Sequence, residues 1–393
     1  NYLFYKYKSC QGRTDIYIAF IENCLPKLNK SGIFSFIIPF AFTNQVYGTL
    51  LREQLINNYN INEIVDTSSY YIFNKAKVKN IIINISNKYI KDNSVTIKKY
   101  ISEVNFIADI KTEFRVNQRE FLTLKDFRLE TKPFSNLIKL KNKIDNISIK
   151  FDQICFIAYG ARLNHRTKNI PKSNYVYDKH SKGLKAFFEG KNIDRYLIEQ
   201  YGWLDYKPGE HYNPMFPELF ENEKISFINV VKDRLRFALD RKGMYNSHTV
   251  INCVKYDKLL KCTHVSVRKA LKEIDIEKCK LYDYSFLLAI LNSKLITWYF
   301  RSFLSEGLHF YPNDAKMLPI VNIINSVNCE NRDNIKLLVN SLEASYYEKS
   351  KTSFPTHSEA LDHKIAHFEQ KINKIVYELY GLTEEEIKIV EGV

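Results

Sequence analysis

Two runs of β-branched residues, Ile61–Val65 and Val78–Ile85, constrain this chain more than any other stretch. Valine and isoleucine pack well on a pleated surface, so runs of this length read as strands buried on at least one face. Between them lies Tyr70-Tyr71-Ile72-Phe73-Asn74-Lys75-Ala76-Lys77. Four large apolar residues followed by two lysines fit two arrangements. One is a hairpin that buries its own aromatics. The other is a loop that packs something flat at Phe73 and something anionic at Lys75 and Lys77.

The residues ahead of this pair place it. Within 13–29, Ile16, Tyr17, Phe20, Ile21, Cys24, Leu25 and Leu28 follow one face of a helix, which Lys-Ser-Gly at 30–32 ends. Residues 33–40, IFSFIIPF, read as a near-continuous apolar strand of the kind buried in a parallel sheet, stopped by Pro39. A second helix follows over 44–58, with Leu50, Leu51, Leu55 and Ile56 on one face and Arg52 exposed. Helix, strand, helix, strand, strand is the back half of a doubly wound α/β domain. Such a domain starts with a strand and a Gly-rich turn, so the chain is expected to be a C-terminal fragment or a split subunit.

Beyond residue 90 the pattern loosens into a linker region and one basic helix over 134–146. Residues 151–320 carry short β-like runs (ICFIAYGA, AFFEG, KISFINV, TVINCV) between Gly, Pro, Asn and Asp turns, which predicts an irregular β-rich or α+β domain. A strongly apolar helix is expected over 281–304, then an irregular loop to LPI at 318–320. In the tail, Ile335, Leu338, Val339 and Leu342, then Leu361 to Leu379, predict two antiparallel helices. Gly381 caps the second, and Thr383 with three glutamates starts a last short one. These helices form a packing or interaction module without catalytic chemistry.

Charge narrows the function classes. The net charge is +14, but it is unevenly spread. Residues 1–109 carry +5, residues 110–320 carry +13 and residues 321–393 carry −4. An anion-binding surface requires such a concentration. The basic residues with candidate base or phosphate contacts are Arg162, His165, Arg166 and Lys168; Lys191 and Arg195; and Lys232, Arg234, Arg236, Arg241 and Lys242. Of only 14 arginines five lie in 162–166 and 234–241, and arginine grips both guanine and phosphate through paired donors. Tyr159, Tyr196 and Tyr245 are candidates for stacking or phosphate hydrogen bonds, or for structural burial. No apolar run approaches the ~20 residues of a membrane span. The seven widely spaced cysteines form no CxxC pair, which fits reduced thiols in a cytoplasmic protein. Neither a nuclease-like carboxylate–lysine set nor a histidine metal-ligand spacing stands out.

RTDIYIAFIENCLPKLNKSGIFSFIIP, LLREQLINNYNINEIVDT and IFNKAKVKNIIINI together resemble the half of a gamma-class adenine-specific DNA methyltransferase that follows its Asn-Pro-Pro-Tyr motif. AYGARLNHRTKN (158–169), FFEGKNIDRYLIE (187–199), FLLAILNSKLITWYF (286–300) and MLPI (317–320) resemble that family's target-recognition domain in its order. The ending YELYGLTEEEIKIVE is similar to the tail of restriction–modification fusion enzymes. The resemblance implies a C-terminal part of a Rossmann-like methyltransferase domain at 1–108, a target-recognition domain at 109–325 and a helical segment at 326–393.

In that family a flipped-out adenine is clamped between the tyrosine of Asn-Pro-Pro-Tyr and an aromatic from the loop between the last two strands. Phe73 matches that aromatic, Phe20 the helix-face aromatic lining the same pocket, and Lys75 and Lys77 the phosphates beside it. S-adenosylmethionine is implied for the complete enzyme and none for this chain alone, because neither its Gly-rich turn nor Asn-Pro-Pro-Tyr occurs. The Asn-Pro pair at 213–214 continues into Met-Phe. The implied partners are double-stranded DNA and an N-terminal methyltransferase half, with no membrane. The competing reading is a stand-alone DNA-binding adaptor whose α/β part is purely structural.

Overall fold

The computed structural model describes residues 2–12, 14–69, 71–73, 75–87, 90–100, 110–231, 233–304, 309–323 and 329–392. The chain divides into two compact units, Asn1–Leu140 and Lys141–Val393.

The first unit is built on one five-stranded sheet. Its elements are α1 (Tyr2–Lys6), α2 (Ile16–Cys24), β1 (Ile33–Pro39), α3 (Thr49–Asn58), β2 (Asn60–Asp66), β3 (Asn80–Ser86), β4 (Ser94–Tyr100) and β5 (Ile110–Asn117). The strand order is β1-β3-β2-β4-β5. The two β-branched runs are neighbours, β2 and β3, paired antiparallel. In β3 the alternation is complete: Ile81, Ile83 and Ile85 are fully buried. On the opposite face Asn84 donates to Glu63 Oε2 at 2.8 Å and Ser86 Oγ donates to Asn62 Oδ1 at 3.1 Å.

The sheet is mixed: only β2 and β4 pair in parallel, and the other three pairings are antiparallel. Residues 33–40 therefore do not form a buried parallel strand. β1 lies at the edge, antiparallel to β3; Ile33 is 67% exposed, Phe34 and Phe36 are half-buried, and Ile38 is the buried residue of the strand. An edge is where Pro39 is tolerated, since its missing N–H removes no ladder bond on the outer side. The loosened region beyond residue 90 supplies β4 and β5, so segment 109–140, read above as the start of the recognition domain, lies in the first unit.

Polar residues lock this unit. Arg52, read above as exposed, is fully buried. It donates to the carbonyls of Phe42 (2.7 Å), Gln45 (2.9 Å) and Asp126 (2.8 and 3.1 Å) and to Thr49 Oγ1 at 3.3 Å. Burial pushes its guanidinium down to about 10, and carbonyl dipoles replace the water it loses. Gln118 is equally complete: its amide nitrogen donates to the carbonyls of Ile56 and Tyr59, and its oxygen accepts from Ile61 N and Asn93 Nδ2, all at 2.7–2.8 Å. It fixes the turn between α3 and β2 against the end of β5.

In the second unit the β-like runs form a four-stranded antiparallel sheet, ordered Phe237–Asp240, Lys224–Ile228, Val250–Lys255, Cys155–Tyr159. A smaller sheet holds Tyr245–Asn246, Lys185–Phe188, Gly202–Leu204 and Val176–Tyr177. The apolar stretch 281–304 is not one helix. It breaks into Tyr284–Leu291, Lys294–Tyr299 and a π-helical turn, Phe300–Leu304. Asn292 causes the break: its side chain accepts from Phe237 N at 3.0 Å and donates to Phe237 O at 2.9 Å. Ser293 then caps the next helix through Ile296 N. Strand Pro319–Val321 returns to pair with Ser148–Lys150.

Helices Cys329–Lys351 and Pro355–Leu379 pack on each other, with Ile335, Val339, Leu342, Leu361, Ile365 and Val376 buried. Gly381 adopts φ +63°, and Thr383 with Glu386 forms a reciprocal cap on Glu384–Glu391. Among the described residues no helix is long and apolar enough to cross a membrane, no metal-ligand cluster occurs, and the six described cysteines are free thiols.

Candidate nucleic-acid interface

In the first unit, the loop after β2 is held at its base. Thr67 Oγ1 donates to Asn80 O at 2.8 Å, closing the loop's two ends. Asp66, buried at the end of β2, accepts from Ser68 N (2.8 Å) and Thr131 Oγ1 (2.7 Å) and sits 3.6 Å from Lys99. On that base Phe73 is 47% exposed, Tyr71 44% and Val78 44%, and Lys75 and Lys77 are exposed. The described rings of the loop, Tyr71 and Phe73, are therefore not buried within it. Phe20 is also exposed: α2 turns Tyr17, Ile18 and Ile21 inward and Ile16 and Phe20 outward, which rotates the buried face from the one the spacing suggested. Among the described residues no ring contact joins Phe20 to Phe73.

In the second unit the 158–169 stretch is positioned by a glycine. A Cβ at Gly160 would lie 2.2 Å from Asn246 Oδ1 and 2.5 Å from Ser247 O, so no side chain fits there. The close approach lets Ala161 N reach Asn246 O (3.0 Å) and His248 N reach Ala161 O (2.8 Å). Asn246 and Asn252 exchange amide hydrogen bonds at 2.8 and 2.9 Å in the buried layer beneath.

From this anchor strand Arg162–His165 runs out and pairs with His211–Asn213. Arg162 is exposed, with its guanidinium 6.0 Å from the ring of Tyr212, itself 59% exposed. His165 Nδ1 accepts from Thr167 N (3.1 Å) and Lys168 N (2.9 Å), a tight turn that leaves Arg166 and Lys168 in solvent. Tyr212 and His248 were not singled out above. Burial, then the cations Arg162 and Lys172, holds the His248 imidazole below its ordinary range. The signal for both residues is the pairing register, which has no trace in residue type.

A buried histidine holds the hairpin. His211 has no exposed surface; Nδ1 contacts Leu163 O at 3.0 Å and Nε2 accepts from Lys207 N at 3.1 Å. The two contacts require the neutral tautomer with its proton on Nδ1. Burial lowers its pKa, so the unfolded chain takes up the proton first. Stability from this group is complete above the ordinary histidine value of about 6.5 and is lost as pH falls toward the folded value. Urea midpoints between pH 8 and 5 are expected to fall on the acid side, and His211→Asn to flatten that slope while lowering the midpoint at pH 8.

The remaining candidates separate by their partners. Arg195 is buried and ion-paired with Glu369, and Arg234 binds the other Glu369 oxygen at 2.8 Å. Both also donate to Asn292 O, at 3.0 and 2.7 Å. Their guanidinia are engaged inside the unit, which corrects the reading of these two as DNA contacts. Arg241 is exposed but bridges both Glu343 oxygens at 2.8 and 2.9 Å. Lys191 lies 3.9 Å from the Tyr201 ring centre, Arg236 is half-buried, and Lys242 is exposed. Lys232 lies outside the described residues. Tyr159 is half-buried, whereas Tyr196 and Tyr245 are buried, Tyr245 donating to Glu221 Oε1 at 2.8 Å. Arg162, Arg166, Lys168 and Tyr212 are left as one accessible group on one hairpin and its turn.

Residues 1–73 match the Eco57I restriction-modification methylase family, and residues 185–320 match the TaqI-like C-terminal specificity domain. Among curated proteins none matches the chain. Solved structures similar to it include the Type IIL restriction-modification enzyme MmeI in complex with DNA (12% identity, TM-score 0.47, 96% of this chain and 51% of that one). Two others are the type IIG restriction endonuclease BpuSI (10%, 0.35, 95% and 50%) and a DrdV–DNA complex (9%, 0.39, 88% and 41%). The chain thus spans about half the length of MmeI and BpuSI. A methylase-family match thus lies ahead of a specificity-domain match, the order of a restriction–modification methylase with a target-recognition domain.

Proposed function

We propose that this chain is the DNA-recognition part of a site-specific adenine DNA methyltransferase. The second unit reads duplex DNA, and the loop after β2 contributes one face of the clamp on a flipped adenine. The observation that carries the reading is the accessible strand pair that brings Arg162 beside Tyr212, with Arg166 and Lys168 on the turn after the first strand. Arginine reads guanine edges through paired donors, lysine neutralises phosphates, and an exposed tyrosine stacks or bonds beside them.

In the first unit a ring half in solvent on a fixed loop base is what an extruded base needs, and stacking supplies about 1–3 kcal/mol per base. Lys75 and Lys77, exposed beside it, suit the flanking phosphates. The methyl donor of the complete enzyme is S-adenosylmethionine, and the residues here do not build its site. In this reading the donor is held by an N-terminal half. Support for such a partner comes from exposed apolar residues of the first unit, Ile33 on the edge strand β1 and Ile16 and Phe20 on α2. The free thiols fit a reducing cytoplasm.

Arg162→Ala with Arg166→Ala is expected to weaken duplex binding by roughly two orders of magnitude, at ~1–3 kcal/mol per lost contact. Fluorescence anisotropy at fixed salt measures it, and unchanged affinity would remove the hairpin from the interface. With the chain rejoined to a donor-binding half, Phe73→Ala is expected to slow methylation by about tenfold or more while duplex affinity stays within a few-fold. An unchanged rate would refute the clamp.

A further inference from the structure

The small sheet of the second unit has an outer face that the recognition hairpin does not use. Trp203 stands directly opposite Tyr177 on one side and Ala186 on the other. Residues in such a row share a face, and Tyr201 lies just before the strand, its N–H bonded to Phe187 O. The neighbouring row, Leu204 and Val176, packs inward with Phe187 into the core. The core of that side holds Leu204, Val176 and Phe187, while Ala186 in the aromatic row packs with Phe188 against a second cluster, so the row meets solvent at its rings: Tyr177 and Tyr201 are each 46% exposed, and Trp203 is half-buried. The backbones beneath are close, since a Cβ at Gly202 would lie 2.8 Å from Tyr177 O.

The surroundings are cationic. After Tyr177 the chain turns through Lys179, His180 and Lys182, all exposed, over an open groove of about 760 Å³. His180 lies edge-on to Trp203, ring centres 4.3 Å apart. Lys191 adds its ammonium over Tyr201. Of the two acids lining the groove, Asp205 is neutralised by Lys207 at 2.8 Å, and Asp178 is exposed beside Lys179.

We propose that this face binds single-stranded DNA, with unpaired bases on the Tyr177–Trp203–Tyr201 row and the backbone along Lys179 and Lys182. Exposed rings in a flat row stack on bases only when the bases are unpaired, and lysines alongside complement the phosphates. A duplex keeps its base faces inside the stack and offers this row nothing to bind. The site is distinct from the hairpin that reads duplex DNA, and does not depend on that reading.

The two tryptophans, Trp203 and Trp298, make the test direct. In the full chain carrying Trp298→Phe, titration with a short oligothymidylate is expected to quench Trp203 fluorescence saturably. Lys179→Glu with Lys182→Glu should weaken that binding about tenfold, and Arg162→Ala with Arg166→Ala should leave it unchanged. Quenching by the oligonucleotide alongside failure of duplex binding would uphold this site and overturn the hairpin reading. Absence of quenching, equal quenching by a duplex of the same length, or indifference to the lysine reversals would each overturn the proposal.

Discussion

Asp240→Asn is expected to destabilise the second unit by about 3–5 kcal/mol, the cost of leaving one member of a buried ion pair without its partner. Lys224 and Asp240 have no exposed surface. The Lys224 ammonium donates to Asp240 Oδ2 at 2.5 Å, to Phe220 O at 2.5 Å and to Met244 O at 3.0 Å, a full set for its three protons. Asp240 accepts from Lys242 N and Met244 N, both at 2.8 Å. The pair thus fixes strand Phe237–Asp240 to its neighbour and shapes the turn at 241–244. Burial presses the Lys224 pKa down, the sign of a charge that depends on its neighbours. With asparagine at 240 the ammonium keeps two carbonyls and loses its anion. A urea titration followed by circular dichroism measures the loss. Lys224→Met with Asp240→Asn should recover most of it, because the double variant buries no unpaired charge. A single variant within 1 kcal/mol of the parent would show that the pair is dispensable.

Glu369→Ala should cost a comparable ~3–5 kcal/mol, by stranding two guanidinia at once. Glu369 accepts from Arg195, from Arg234 and from Tyr346 OH at 3.0 Å, while Asn373 Nδ2 donates to its carbonyl at 2.8 Å. Arg195 and Arg234 converge on Asn292 O, the point where the apolar helix breaks. One carboxylate therefore ties helix Pro355–Leu379 to the sheet. Its loss should also raise hydrogen exchange along 355–379 before the rest of the unit opens. Unchanged exchange there would mean that apolar packing alone docks the helix.

The sequence shows most clearly the elements set by local pattern. β2 and β3 are legible because isoleucine and valine recur with the strand period. The last helix is legible because a cap residue and an acidic first turn are adjacent in the chain. β1 misleads because apolar content does not distinguish a central strand from an edge. Arg52 misleads for a different reason: its burial depends on carbonyls gathered by the fold. Arg234 belongs to an arginine cluster in one dimension and Arg195 to a basic pair with Lys191, and a glutamate 135 residues beyond Arg234 decides the role of both. Arg162 and Arg166 stay in solvent, and the strand paired with theirs brings Tyr212 beside Arg162. Phe73 was open between two arrangements until the clamped loop base left its ring exposed.

Sequence-specific duplex recognition is the centre of this account, and selection from a random duplex library tests it most directly. Retained DNA, sequenced after several rounds at moderate salt, should converge on one short motif, and Arg162→Ala with Arg166→Ala should abolish the enrichment. A pool retained at random composition, or not retained at all at low salt, would contradict it.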